Sequence, residues 1–193
     1  RWCKDHDVVI DSRDAERAKI SAQQYTELAK DAYGEINGNI TGSDNISVSK
    51  ESEILILSIP YENIDSICSE LLPQINDNCI VVSPIVPMTK TDTGFECVAI
   101  KENKPFSHQT VEKHMKDKTK LVSAFHVISE KKLVNPTLKL DYDIFVAGDN
   151  KDSVEVVNEL INEIEGFRPI YLGPGTLAVA YTQLTLPTHG RWK

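Results

Sequence analysis

Paired cysteines, long apolar runs and an excess of basic charge are all missing from this sequence, and each absence excludes something. Cys3, Cys68, Cys79 and Cys97 are its only cysteines, with no Cys-x-x-Cys pair, so neither a zinc site nor a disulfide framework is expected. The five histidines are equally scattered, without a His-x-x-x-His pair, and no metal site is expected. No apolar run approaches the roughly 20 residues that span a bilayer, so no membrane partner is expected. Lys and Arg number 21 against 29 Asp and Glu, a formal net charge of −8, which argues against nucleic acid as a partner. A local basic patch for a phosphorylated ligand remains compatible with that balance. Unpaired thiols, with Cys79 inside an apolar run, fit a reducing cytoplasm.

What is present is an alternation of short apolar runs with helical patterns over a one-domain length of 193 residues. "DVVI" (7–10) predicts a strand, 15–33 a helix, and Ile40 another short strand in a Gly/Asn-rich stretch at 34–47. "EILILSIP" (53–60) and "CIVVSPIVP" (79–87) are apolar enough for strands buried on both faces. Between them, Ile64, Ile67 and Leu71 keep helical spacing over 63–72. "KLVSAFHVI" (120–128), "YDIFVAGD" (142–149) and "FRPIYLG" (167–173) predict three further strands. Val154, Val157, Leu160, Ile161 and Ile164 line one face of a helix over 151–165, which Gly166 ends. Such alternation predicts an α/β fold, a Rossmann-like, doubly wound and mainly parallel sheet.

Ligands of such sheets bind at the carboxyl ends of the strands. Asp11-Ser12-Arg13, Ile59-Pro60-Tyr61, Ser83-Pro84 and His126 all fall at predicted strand ends. Ser12 offers a hydroxyl and Arg13 a guanidinium, with Arg17 one helical turn further on, a set suited to the 2′-phosphate of NADP. Against this stand two alternatives: pairing of both arginines with Asp14 and Glu16, and an NAD preference set by Asp11. Ile59-Pro60-Tyr61 suits either a flat ring or a plain strand stop. His126 suits a general acid or base, or a structural hydrogen bonder, since no carboxylate is identifiable as its orienting partner.

Five stretches, "VVIDSRDAERA", "LILSIPYENI", "IVVSPIVPM", "LVSAFHVIS" and "GDNKDSVEVVNELINEIEGFRPIYLGP", together resemble the NADPH-dependent coenzyme F420 reductases in order and spacing. The resemblance covers about residues 7–178. It implies reversible hydride transfer between the deazaflavin coenzyme F420 and NADP, in a cytoplasmic homodimer. By position it implies Ser12, Arg13 and Arg17 at the 2′-phosphate, and Ile59, Pro60 and Tyr61 near the nicotinamide. It further implies Ser83, Pro84, Ile85, Val86 and Pro87 beside the deazaflavin, and His126 and Ile128 lining the cleft where the two rings stack. His126 would then position or polarise the deazaflavin rather than act as an obligatory base. Two alternatives are an NADP-dependent reductase of a flavin or ferric chelate, and a non-catalytic dinucleotide-binding module.

The resemblance also implies departures. Asp11 stands where the family has glycine, and the family's opening strand and Gly-x-Gly-x-x-Gly turn would precede Arg1. Residues 1–150 are thus expected to form an NADP-binding domain without its first strand, and 151–180 to open a small C-terminal subdomain. Residues 181–193 read as a tail foreign to the family. A fragment of this kind, with unpaired strand edges, is expected to bind NADP weakly or not at all and to be marginally soluble.

Overall fold

Nine strands and six α-helices are laid out in a computed structural model that describes residues 1–92, 94–98 and 106–178. The expected tail at 181–193 lies outside the described residues. The architecture is the expected α/β one: a five-stranded sheet, a parallel pair of strands beside it, and a small hairpin.

The parallel pair is built from β1 (Val8–Ser12) and β2 (Ile40–Asp44), joined by helix α1 (Ala15–Tyr33). Asp14 starts α1 by accepting hydrogen bonds from the amides of Glu16 and Arg17. Its buried stripe is all alanine, Ala18, Ala22 and Ala29, because the helix lies almost on the strands. A Cβ at Gly42 would come within 2.3 Å of the Ala18 backbone, so only glycine permits that approach.

The larger sheet runs β3-β4-β7-β8-β9, with β3 Ile54–Ile56, β4 Ile80–Ser83, β7 Leu121–Ser123, β8 Tyr142–Gly148 and β9 Phe167–Gly173. β3, β4 and β7 are mutually parallel, β8 turns antiparallel to β7, and β9 is parallel to β8. Every residue of β4 and β7 is buried, as an apolar run covered on both faces requires. One face is covered by α3 (Ile64–Leu71) through Ile64 and Cys68, together with Val111 of α4 (Ser107–Glu112). Val154, Val157 and Ile161 of α6 (Lys151–Asn162) cover the other. Val48 of α2 (Asn45–Glu51) packs among Leu55 and Leu57, tying the two-stranded sheet to the five-stranded one.

The structure differs from or adds to the sequence reading at three places. "KLVSAFHVI" yields only three strand residues, because the chain turns at Phe125, whose φ is 67°. Residues after 150 supply α6 and β9 to the main sheet itself, with Tyr142 opposite Phe167 in register. Short helices α2, α4 and α5 (Glu130–Val134) and the hairpin β5 (Met88–Thr91) and β6 (Gly94–Cys97) had no sequence signature.

Ile161 is 0% exposed and lies among Ile144, Val146 and Val157. Ile161→Ala is expected to cost about 2–5 kcal/mol in urea unfolding, with α6 and the sheet melting together. Separate transitions for α6–β9 and the remainder would contradict a shared core.

Candidate functional site: the carboxyl ends of β1, β3, β4 and β7

At the end of β1, alternation decides which groups act together. Val8, Ile10 and Ser12 share the half-buried face towards α1, whereas Val9 and Asp11 point to the exposed one. Asp11 and Ser12 therefore address opposite sides. Desolvation nevertheless raises the Asp11 pKa above the ordinary carboxylate value, partly offset by its own backbone amide. Ser12 Oγ accepts from the Asp14 amide at 3.3 Å. Asp14 is engaged as the helix cap, and Glu16 pairs with Lys19 at 2.6 Å. Neither acid neutralises Arg13 or Arg17; both guanidiniums are exposed, without an ion pair or side-chain hydrogen bond among the described residues.

The other expected residues end three adjacent strands of the main sheet. After β3 the chain continues through Leu57, whose amide donates to the Val82 carbonyl at 2.9 Å, to a tight turn closed by Ile59 N–H onto Leu57 O at 3.0 Å. Pro60 is exposed, while Ile59 and Tyr61 are half-buried against the core. Ser83 ends β4 at 1% exposure, and its Oγ has no hydrogen-bond partner among the described residues. Such an orphan costs about 1–3 kcal/mol. Pro84, Ile85, Val86 and Pro87 follow, with Ile85 and Pro87 buried.

Beyond β7 the Ala124 amide reaches back to the Ser83 carbonyl at 3.2 Å. Phe125 then adopts its left-handed conformation, held by an edge-on contact with Trp2 at 5.7 Å between ring centroids. A bulky residue there carries about 1–3 kcal/mol of strain, a cost commonly found where a side chain must be aimed. The side chain aimed is His126, half-buried and two residues from Ile128, which is also half-buried. Burial, reinforced by the neighbouring His108, pushes the His126 pKa down to about 4, so its imidazole is neutral at physiological pH. A neutral ring can donate at one nitrogen and accept at the other.

Ile59–Tyr61, Ser83–Pro87 and His126–Ile128 are thus brought together along one edge of one sheet. Ser12 ends β1 of the separate two-stranded sheet, with Arg13 just beyond it and Arg17 in the first turn of α1. Sequence reading missed His108 of α4, whose Nδ1 lies 2.8 Å from Ser123 Oγ at 5% exposure. The histidine itself was visible, but its short helix was not, and nothing local connects it with β7.

His126 also sets a pH signature. Its folded pKa lies below the ordinary value of 6.5, so between about pH 6.5 and 4 the unfolded chain binds a proton that the folded chain does not. Its contribution to stability is complete above that window and is lost as pH falls through it. His126→Asn is expected to flatten the decline of the urea midpoint between pH 6.5 and 4. Identical slopes in the two proteins would contradict a neutral His126.

Comparison with known proteins bears on the family and the fold. The family described as NADP oxidoreductase, coenzyme F420-dependent, matches residues 2–87. The F420-dependent NADP reductase of Methanocaldococcus jannaschii is 31% identical over 173 residues, 90% of this chain and 76% of that protein. A crystal structure from Arthrobacter sp. FB24 has the same fold at a TM-score of 0.66 and 16% identity, covering 93% of this chain and 80% of that one. A 3-hydroxyacyl-CoA dehydrogenase from Archaeoglobus fulgidus superimposes at 0.56 with 12% identity, covering 95% of this chain and 54% of the dehydrogenase, and supports the Rossmann-like fold alone. Identity of this extent to a curated relative, along nearly the whole chain, means that the chain belongs to the F420-dependent NADP reductase family.

Proposed function

We propose that this protein transfers a hydride reversibly between coenzyme F420 and NADP. The observation that carries the proposal is the kinship with a curated F420-dependent NADP reductase over 90% of the chain. The residues present fit both groups: two uncommitted guanidiniums suit a phosphate, and a buried, partnerless Ser83 hydroxyl suits a polar ring substituent. When bound, the cofactors supply the chemistry themselves, between C5 of the deazaflavin and C4 of the nicotinamide.

The chain's task is then positional. Arg13 and Arg17 hold the 2′-phosphate with Ser12 beside it, and Asp11 lies on the other face of β1 from Ser12. Ile59, Pro60 and Tyr61 bear on the nicotinamide side, and Ser83, Pro84, Ile85, Val86 and Pro87 on the deazaflavin side. Ile85, in the core against which Ile59 and Tyr61 pack, gives that side a rigid apolar support, and half-buried Ile128 flanks His126. His126, neutral and fixed by the Phe125 turn, offers a hydrogen bond to the deazaflavin edge. No covalent nucleophile is needed, because proximity and orientation lower the barrier. A cytoplasmic homodimer is the assembly we infer for the working enzyme.

Mixing the protein, expressed from its whole reading frame, with NADPH and oxidised coenzyme F420 should bleach the deazaflavin band at roughly 400 nm, the chromophore being the cofactor's own. Turnover of flavins or ferric chelates in its place would overturn the reading. Arg13→Ala and Arg17→Ala should each weaken NADP binding by about 10- to 100-fold in calorimetric titration, leaving NAD affinity unchanged. Equal losses for NAD and NADP would remove both arginines from the 2′-phosphate.

A further inference from the structure

The ends of β4 and β7 hold more buried polar groups than the proposed hydride transfer uses. Ser83 and Ser123 are register partners in parallel strands, so their side chains leave the sheet on the same face. Ser123 is 2% exposed, and its hydroxyl is engaged by His108 Nδ1 at 2.8 Å. On its other side the His108 ring is held just as closely: a Cβ at Gly175 would lie 2.1 Å from Nε2. Gly175 is in turn anchored by its amide donating to Asp149 Oδ1 at 3.3 Å. His108 is therefore clamped between the end of β7 and the segment following β9.

We propose that His108, through its hydrogen bond to Ser123, is a positioning residue that fixes the turn from which His126 enters the cleft. This rests on the reading of His126 as the residue facing the deazaflavin. The path is short and physical. Ser123 is the last residue of β7, Ala124 is tied to Ser83 by its amide, Phe125 takes the left-handed conformation, and His126 follows. A strained turn persists only where its flanks are held. Trp2 holds one flank against the Phe125 ring, and the His108–Ser123 bond holds the strand end on the other.

The two histidines are also linked electrostatically. His108 lowers the His126 pKa by like-charge repulsion, and burial lowers that of His108 itself, opposed by Glu112 of α4 and Asp149 at the end of β8. Protonating one ring disfavours protonating the other, so the pair favours the neutral state in which His126 both donates and accepts.

The test compares H108F, S123A and H108N with the parent protein, by steady-state kinetics with NADPH and coenzyme F420 and by NMR titration of the His126 ring. H108F and S123A should lower kcat by roughly 10-fold with KM for NADPH unchanged, as expected when orientation and not binding is lost. H108N, whose amide can reach the position of Nδ1, should recover most of that loss. In H108F the His126 midpoint should rise only slightly above about 4, because burial, the larger cause, still holds it below 6.5. The proposal is overturned if H108F melts at lower temperature yet keeps the parental kcat and His126 midpoint, or if H108N is no better than H108F. Should the parent protein not reduce coenzyme F420 at all, the functional reading fails, and the His126 midpoint in H108F still decides whether His108 acts on His126.

Discussion

Burial of β4 and β7 on both faces is the constraint from which the remainder of the structure follows. Val81, Val82, Leu121 and Val122 lie at 0–1% exposure, with no room for a polar side chain above or below them. Their backbone groups must be paired within the sheet, and their flanks must be covered by helices. α3 and α4 meet that need on one side and α6 on the other, through Ile64, Cys68, Val111, Val154, Val157 and Ile161. Polar groups can then appear only where the strands stop. Ser83 and Ser123 are those stops, adjacent in register, and the candidate cleft begins there.

The same logic explains why a strained turn is tolerated at Phe125. The apolar residues of β4 and β7 anchor the strand firmly enough for the next residues to be bent without unravelling it. Trp2 adds to this by stacking edge-on against Phe125 while its indole N–H donates to the Leu160 carbonyl at 2.7 Å. A residue near one end of the sequence thus braces a turn more than 120 residues away, and α6 with it. The buried thiols play no comparable part: burial raises the Cys68 pKa to about 12 and that of Cys79 to about 11, leaving both protonated and inert.

Much of this was legible in the residues because it is local. Apolar runs announced β1, β3, β4, β8 and β9, and helical spacing announced α1, α3 and α6, since these segments bury a face whose period is written in the sequence. α2, α4 and α5 were not legible: at seven, six and five residues they are too short to show a period and are held by what they touch. The antiparallel turn of β8 against β7 was equally hidden, because an apolar run carries no direction. At the candidate site, strand ends singled out Ser12, Arg13, Ile59, Ser83 and His126. His108 escaped because its partner Ser123 is 15 residues away and meets it only in the folded chain.

In the proposed enzyme one ligand is gripped at the end of β1 and reaches the ends of β3, β4 and β7. Backbone amide chemical shifts recorded during titration with NADPH test this most directly. The account predicts that Ser12, Arg13 and Arg17 move together with Ile59, Tyr61, Ser83 and His126, along a single saturation curve. Shifts confined to another surface, such as the apolar cleft of about 270 Å³ beside Tyr25, Leu133 and Val134, would contradict it.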